Sequence, residues 1–431
     1  MKKYKSLKLS TKILIAMVLG MILGLLFNKE IAILPNSIYT PMEAYFFAPV
    51  GKIFINAIKM LVVPMVFVSL VNGISQIGDL KKLGRVGGKT VGFYLITTSI
   101  AITIGLGLAL LINPGANASL PAADIAFKAK ESVPFTEILV NMVPTNPLKA
   151  MVEGNMLQVI VFSILLGMAV TSIKKEKSKI ILSFFDALND AVLKMIDFVM
   201  KLAPLGVFCL ISKVLATLGL SSILNLALYM MTILLALALH LIFVYTGALM
   251  IFTKLNPIVF FKKFWSVMTL AFSTSSSNAT LPVTMETVEK KFGVNKSILG
   301  FTFPLGATIN MDGTAIMQGV ATVFIAQIYN MNLTIPQLLT VILTATLASI
   351  GTAGVPGVGM ITLTLVLESI GLPVEGIAMI IGVDRILDMC RTVVNVTGDT
   401  VVTLAVAKSE NEVDEEIFFA NEESLQVNFS E

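Results

Sequence analysis

The sequence predicts an all-α polytopic membrane protein with eight transmembrane helices and two re-entrant helical hairpins. Three observations predict it. Of the 431 residues 56% are hydrophobic and 13% charged, about half the charged fraction of a soluble domain. Lys and Arg gather in every second connection between apolar runs. Two further apolar stretches are interrupted at their centres by small polar residues and glycines. Two cysteines, Cys209 and Cys390, exclude a disulfide scaffold, and the composition excludes disorder and collagen.

The elements follow in order. The basic N-terminus, residues 1–12, precedes an apolar run over 13–27. Asn28-Lys29-Glu30 is a poor signal-peptide cleavage site, so the run is expected to be a retained first span. A crossing helix needs about 20 mostly apolar residues. Further spans are expected at 50–74, 88–113, 150–173, 222–252, 297–327 and 374–407. An amphipathic span is expected at 180–212, where Asp186, Asp190, Lys194, Asp197 and Lys201 recur at short spacings and leave the other face apolar. The interrupted stretches, 257–285 and 334–368, are expected to be the hairpins, because non-helical backbone survives at membrane depth only when buried in protein or lining a cavity.

The basic connections set the orientation. Lys2, Lys3, Lys5, Lys8 and Lys12 precede the first span; Lys81, Lys82, Arg85 and Lys89 follow the second; Lys174, Lys175, Lys177 and Lys179 follow the fourth. Lys254, Lys262 and Lys263 precede the first hairpin's tip, and Lys290, Lys291 and Lys296 follow it. The alternate connections carry only Lys29, then Lys128 and Lys130, then Lys213. The alternation holds if 257–285 enters and leaves on the cytoplasmic side and 334–368 on the outer side. A multi-pass protein of the inner or plasma membrane with both termini cytoplasmic is expected. The tail, 408–431, holds one Lys and eight acids, a net −7, and is expected to be disordered; the rest of the chain then carries +11 of the total +4.

Four polar islands occupy the last 160 residues or so. Ser273-Thr-Ser-Ser-Ser-Asn-Ala-Thr280 lies at the first hairpin tip, where serine hydroxyls and free N–H groups at a helix start suit an anion. Gly306-Ala-Thr-Ile-Asn310-Met-Asp312-Gly313-Thr314 puts a carboxylate in an apolar span, a costly placement that marks function. Gly313 permits unwinding there, which would add carbonyl oxygens to those of Asn310 and Asp312 for a hard cation. Ala348 to Gly359 carries four glycines and Pro356, and so a tip able to act as a gate. Asp384, Asp388, Arg391, Asn395 and Asp399 share one helical face, with Asp388 and Arg391 three apart and able to pair. Arg391 suits bidentate capture of a carboxylate.

Asn310-Met-Asp-Gly-Thr314 and Asn395-Val-Thr-Gly-Asp399 share Asn-x-x-Gly, each after a hairpin. A hairpin followed by a broken span, twice and from opposite sides, is the inverted repeat of secondary transporters. The residues alone therefore point to transport of a small anionic or zwitterionic solute coupled to a monovalent cation. No Walker loop is present.

The same residues resemble the glutamate transporter family, the dicarboxylate/amino acid:cation symporters, of the prokaryotic acidic amino acid type. Lys59-Met-Leu-Val-Val-Pro64-Met-Val-Phe and Val143-Pro-Thr-Asn-Pro147 look like family landmarks, and the islands match its hairpins and its seventh and eighth spans. The resemblance covers nearly the whole chain. It implies a homotrimer with a scaffold domain, mainly spans 1, 2, 4 and 5, and an elevator-type transport domain of spans 3, 6, 7 and 8 with both hairpins, within 13–407. It implies that Arg391 holds the substrate's side-chain carboxylate and Asp388 its amine. Further substrate contacts match Ser276, Ser277, Thr314, Val355, Thr392 and Asn395. One Na⁺ site matches Gly306, Asn310, Asn395 and Asp399. A second matches Thr308, Ser349, Ile350 and Thr352. A third matches Tyr94, Thr97 and Thr98 with Asn310 and Asp312.

Two departures stand out. Some prokaryotic relatives carry an arginine in the serine motif where this chain has Ser275, and Arg385 is a candidate for that charge. Proton-carrying animal relatives have a glutamate where this chain has Gln318. The expected function is Na⁺-coupled uptake of L-glutamate or L-aspartate. The alternatives are proton-coupled uptake of glutamate or a four-carbon dicarboxylate and, more remotely, a passive ion channel. The expected partners are the acidic amino acid, Na⁺ and membrane lipid. No enzyme activity, organic cofactor, transition metal or nucleic acid is expected. His240, the one histidine, is expected to be a packed or interfacial residue.

Overall fold

The computed structural model describes residues 9–28, 33–75, 80–116, 140–218, 220–350, 352 and 354–420. Lys2 to Lys8, Lys29, Lys128, Lys130 and the tail beyond 420 lie outside the described residues. Among the described residues every regular element is helical, apart from one isolated bridge between Val294 and Val413.

Helix α1 spans Leu9–Leu26, α2 Ala48–Ser75, α3 Leu80–Ile112, α4 Met156–Ser172 and α5 Lys175–Leu218. Pro147–Glu153 forms a short helix ahead of α4. Its Asn146 cap accepts from the Leu148 and Lys149 amides, with Pro147 at the first helical position, where its missing N–H costs nothing. The amphipathic span at 180–212 is α5, whose Asp186 accepts from the Asn72 amide of α2 at 3.3 Å.

Helix α6, Leu220–Leu239, continues through two π-helical turns, His240–Tyr245 and Leu249–Thr253. The first hairpin is α7, Pro257–Thr274, and α8, Ser277–Phe292. The seventh span is divided into α9, Lys296–Ile309, and α10, Asp312–Ile328. The second hairpin is α11, Ile335–Ser349, and α12, Val358–Ser369; α13 covers Ile377–Ser409 and α14 Glu415–Phe419. Among the described residues four helical stretches, Ser37–Asn72, Arg85–Ile112, Lys175–Ala216 and Ile223–Thr253, are long and apolar enough to cross a membrane.

The helices pack as two sets. α1, α2 and α4 pack on one another through α2 and α5, while α3, α6 and both hairpins surround α10 and α13. α5 and α1 meet α13, and α2 meets α12, along the seam between the sets. Large apolar side chains stand outward, among them Leu111, Trp265 and Ile258 at 79%, 68% and 78% exposure. Apolar surface on that scale calls for lipid or a partner to cover it.

Three sequence expectations change. The break in the seventh span falls at Asn310 and Met311, and Gly313 is helical. Gly313 is needed for space: a Cβ there would stand 2.6 Å from the Arg391 carbonyl oxygen. The second Asn-x-x-Gly does not break its helix, for α13 runs unbroken through Asn395 and Asp399. Gly398 instead admits the Asn310 amide, 2.6 Å from where its Cβ would stand.

The tail is the third change. Residues 410–420 are docked, not disordered, over the base of the first hairpin. The Asn295 amide donates to the Glu412 carbonyl at 3.1 Å, and the Asp414 amide to the Gly293 carbonyl at 2.8 Å. Phe418 is fully buried, its ring 5.5 Å from that of Phe292, which stacks on Phe260. The Lys263 ammonium donates to the Ile417 and Phe418 carbonyls at 3.0 and 2.7 Å. Charge counting on the sequence saw eight acids and missed two phenylalanines.

Candidate functional site

The site is built where the two hairpin tips meet the α9–α10 break and the polar face of α13. At the first tip Ser275 turns left-handed, with φ 51°, and Ser276 caps α8 by accepting from the Ala279 amide. At the second, Gly357 takes φ 86°, a conformation that costs glycine nothing. The tips are tied together: the Ser276 hydroxyl donates to the Gly354 carbonyl at 2.6 Å, and the Asn278 amide to the same oxygen at 3.3 Å. Ser277, Thr314, Val355, Asp388, Thr392 and Asn395 all line one small cavity of about 20 Å³ beneath them. Such a volume holds a single water.

Arg391 is brought beside this cavity without lining it. It is fully buried, and its guanidinium pairs with Asp384 at 2.7 Å and with Asp388 at 2.9 Å. Asp388 also faces Arg385 at 3.6 Å, which places Arg385 as a partner of this cluster. Two arginines and two aspartates balance, so the pocket is not a bare positive charge. Capture of a substrate carboxylate by Arg391 would compete with its own two acids. Asp384, Arg385 and Asp388 also line a cavity of about 460 Å³ along the seam, walled on the other side by α2 and α5.

The cation residues fall into three groups. Asn310, Asn395 and Asp399 come together, the Asn310 amide donating to the Asn395 carbonyl at 3.0 Å and to Asp399 at 2.9 Å. The Gly306 carbonyl accepts from the Asn310 N–H at 2.8 Å. A Cβ at Gly306 would stand 2.5 Å from the Tyr94 hydroxyl and 2.6 Å from Asp399, so only glycine fits there. The Asn310 side-chain oxygen is buried with no hydrogen-bond partner. An orphaned amide oxygen beside a buried carboxylate is what an oxygen-loving cation would satisfy.

In the second group, Thr98 donates to Asp312 at 2.5 Å, and Thr97 to the Tyr94 carbonyl at 3.2 Å. Tyr94 itself is turned to the Thr302 carbonyl at 3.4 Å. The third group is not assembled by hydrogen bonds. Thr308 donates within α9, Ser349 within α11, and Thr352 back to Ala348. The Asn395 side chain has a further use, accepting the Gly313 N–H at 2.7 Å and so satisfying a free donor at the start of α10. Gln318 holds α10 to α12 by donating to Thr362 at 2.8 Å.

Sequence reasoning missed His240 as more than packing. It is fully buried, and its Nε2 lies 3.1 Å from Asp312; the Tyr245 hydroxyl donates to the same carboxylate oxygen at 2.8 Å. A lone histidine in an apolar run has no periodic partner, and Asp312 is 72 residues away. No local pattern could have announced the pair.

The chain is similar to known proteins over nearly its whole length. Residues 9–409 match the model of the sodium:dicarboxylate symporter family. The chain is 37% identical over 420 residues to a proton/sodium-glutamate symport protein of Bacillus caldotenax, covering 96% of this chain and 97% of that one. It is 36% identical to the proton/glutamate-aspartate symporter of Escherichia coli (strain K12), covering 98% and 97%. It is also 36% identical to a C4-dicarboxylate transport protein of Bacillus subtilis (strain 168), covering 96% of each.

Proposed function

The chain belongs to the sodium:dicarboxylate symporter family, and from that premise we propose that it takes up L-glutamate or L-aspartate by Na⁺-coupled symport. At the coarser level it is a glutamate/dicarboxylate symporter and a membrane protein. The observation that carries the sodium reading is a pair of buried carboxylates, Asp312 and Asp399. Among the described residues neither has an Arg or Lys partner. A carboxylate buried so deeply needs a counter-charge. Asn310, with its free oxygen, stands against Asp399, and Thr98 stands against Asp312. Those oxygens would hold Na⁺, which supplies the positive charge that the balanced arginine cluster does not.

On this reading the substrate lies beneath the tips, its side-chain carboxylate on Arg391 and its amine on Asp388. Thr314, Thr392 and Asn395 surround it, with the Ser276–Ser277 turn and Val355 closing over it. Thr308, Ser349, Ile350 and Thr352 form a cation site when the second tip closes on bound substrate. Closure and parting of the tips gate access. The α3, α6–α13 set then moves as a transport domain against a scaffold of α1, α2, α4 and α5. The protein is a lipid-embedded homotrimer with cytoplasmic termini. The 460 Å³ cavity along the seam supports a sliding interface, since the two sets are incompletely packed there.

The second reading is proton-coupled uptake of glutamate or a four-carbon dicarboxylate. The same unpaired carboxylates favour it, because a proton neutralises a buried acid as a cation does. Substrate class is tested by competition in proteoliposomes. L-aspartate and L-glutamate are expected to displace labelled aspartate at least tenfold better than succinate, since succinate leaves Asp388 without an amine; each tenfold is about 1.4 kcal/mol. Succinate competing as strongly as aspartate would favour the dicarboxylate reading.

A further inference from the structure

We propose that His240 and Tyr245 are positioning residues for sodium, acting through Asp312. They anchor one oxygen of its carboxylate so that the other is presented to the ion. The inference rests on the sodium reading above and adds residues from the sixth span to it.

His240 and Tyr245 are five residues apart, and in an α-helix at about 100° per residue they would point about 140° away from each other. The segment His240–Tyr245 is a π-helical turn. Its i→i+5 register brings both side chains to one face. The two rings meet edge to face, their centroids 4.6 Å apart at 77°. Both residues are completely buried, and both reach the same atom, Asp312 Oδ2. A π turn is a costly local irregularity, and here it delivers two donors to one oxygen.

The lone pairs then decide which oxygen faces the ion. A carboxylate offers about four acceptor positions, two on each oxygen. Oδ2 receives the Tyr245 hydroxyl at 2.8 Å and His240 Nε2 at 3.1 Å, which fills it. Oδ1 receives only the Thr98 hydroxyl at 2.5 Å. Among the described residues one position on Oδ1 therefore stays open. The carboxylate accepts and does not donate, so His240 carries its proton on Nε2. His240 Nδ1 is buried with no hydrogen-bond partner. Only the Nε2 donor is used, so an amide donor at that place is enough.

Gly398 completes the arrangement. A Cβ there would collide with the Tyr245 hydroxyl and stand 2.6 Å from the Asn310 amide. The bare backbone of α13 lets the tyrosine pass beside Asn310 to Asp312. The anchor thus joins α3, α6, α10 and α13 at one carboxylate.

The experiment measures the half-saturating Na⁺ concentration for aspartate uptake in proteoliposomes, for the wild type, H240L, H240Q and Y245F. Loss of a hydrogen-bond partner behind a metal ligand costs about 10–100-fold in ion affinity. H240L and Y245F are expected to raise the half-saturating Na⁺ by that factor. At saturating Na⁺ the aspartate KM should match wild type. H240Q places an amide N–H where Nε2 was and is expected to restore the wild-type Na⁺ response. Unchanged half-saturation in both H240L and Y245F would overturn the proposal. Equal damage in H240L and H240Q, confined to maximal rate, would also overturn it, since that marks a packing role. Should H240L fail to reach the membrane, Y245F, which removes a single oxygen, decides the matter. A wild type that needs no Na⁺ would overturn the sodium reading and this inference with it; a Na⁺-dependent wild type with unaltered variants overturns this inference alone.

Discussion

Arg391 is buried completely between two carboxylates, Asp384 and Asp388. Its replacement therefore acts on two quantities. Arg391→Ala is expected to abolish uptake of acidic substrates. It also takes the guanidinium partner from buried Asp384, a loss of about 3–5 kcal/mol in stability. Uptake in vesicles and thermal unfolding in detergent read the two separately, and the variant should lose both. Asp384→Asn removes one competitor for the guanidinium and is expected to strengthen capture of the substrate carboxylate, seen as a lower KM for aspartate. Gly313→Ala drives a Cβ against the Arg391 backbone, which cannot give as a side-chain tip would. A destabilisation of about 1–3 kcal/mol is expected from such overpacking, measured as a lowered unfolding temperature.

At this scale the sequence revealed the residues whose function is written in spacing. Asp388, Arg391, Asn395 and Asp399 stand at helical intervals on one face, and the structure places them on α13 together. Asp384 belongs to the same stripe, yet its place against Arg391 Nη1 needed coordinates. His240 and Tyr245 were illegible, because their alignment depends on a π turn that no apolar pattern signals.

The hairpin tips and the docked tail are the elements on which the proposed gating and the tail's anchoring depend. The Ser276–Gly354 bond joins the tips directly. Ser276→Ala removes a donor worth about 0.5–1.5 kcal/mol and is expected to let the tips part more readily. Cysteine labelling at Ser277→Cys, compared with and without the Ser276→Ala change, should show several-fold faster modification. The tail holds the first hairpin's base by an aromatic anchor. Phe418→Ala empties a fully buried ring site and should cost about 3–5 kcal/mol, read as loss of the tail's protection from protease.

Glu410 belongs to the same strap. It pairs with Lys89 at 2.7 Å and with Arg85, joining the end of α13 to the start of α3. The Lys89 hydrogen bond, with Arg85 beside it, holds its carboxyl below the usual 4.5. A lowered value means that the contribution is present above the unfolded pKa and is lost as pH falls through the folded one. Protease access to the tail should therefore be constant at neutral pH and rise only at pH below the usual carboxylate range. The hairpins were legible from their broken apolar stretches. The tail's docking was not, since a short Ile-Phe-Phe segment among acids carries too little apolar length to stand out.

For the whole molecule, the sparse charges sort into three uses. On the proposed topology basic connections orient the chain, Glu410 ties the end of α13 to the start of α3, and four charged groups balance one another beside the candidate substrate cavity. Asp312 and Asp399 are left over, buried without an Arg or Lys partner among the described residues. On the proposed reading they are the point at which the ion gradient is coupled to uptake. Asp399→Asn and Asp312→Asn should each weaken the dependence of uptake on sodium.

The most direct test imposes the two gradients separately. Proteoliposomes are given an inward Na⁺ gradient at equal pH, or an inward proton gradient without Na⁺, with the membrane potential clamped in both. The account predicts concentrative aspartate uptake with the Na⁺ gradient and none with the proton gradient alone. Concentrative uptake driven by protons in the absence of Na⁺ would contradict it.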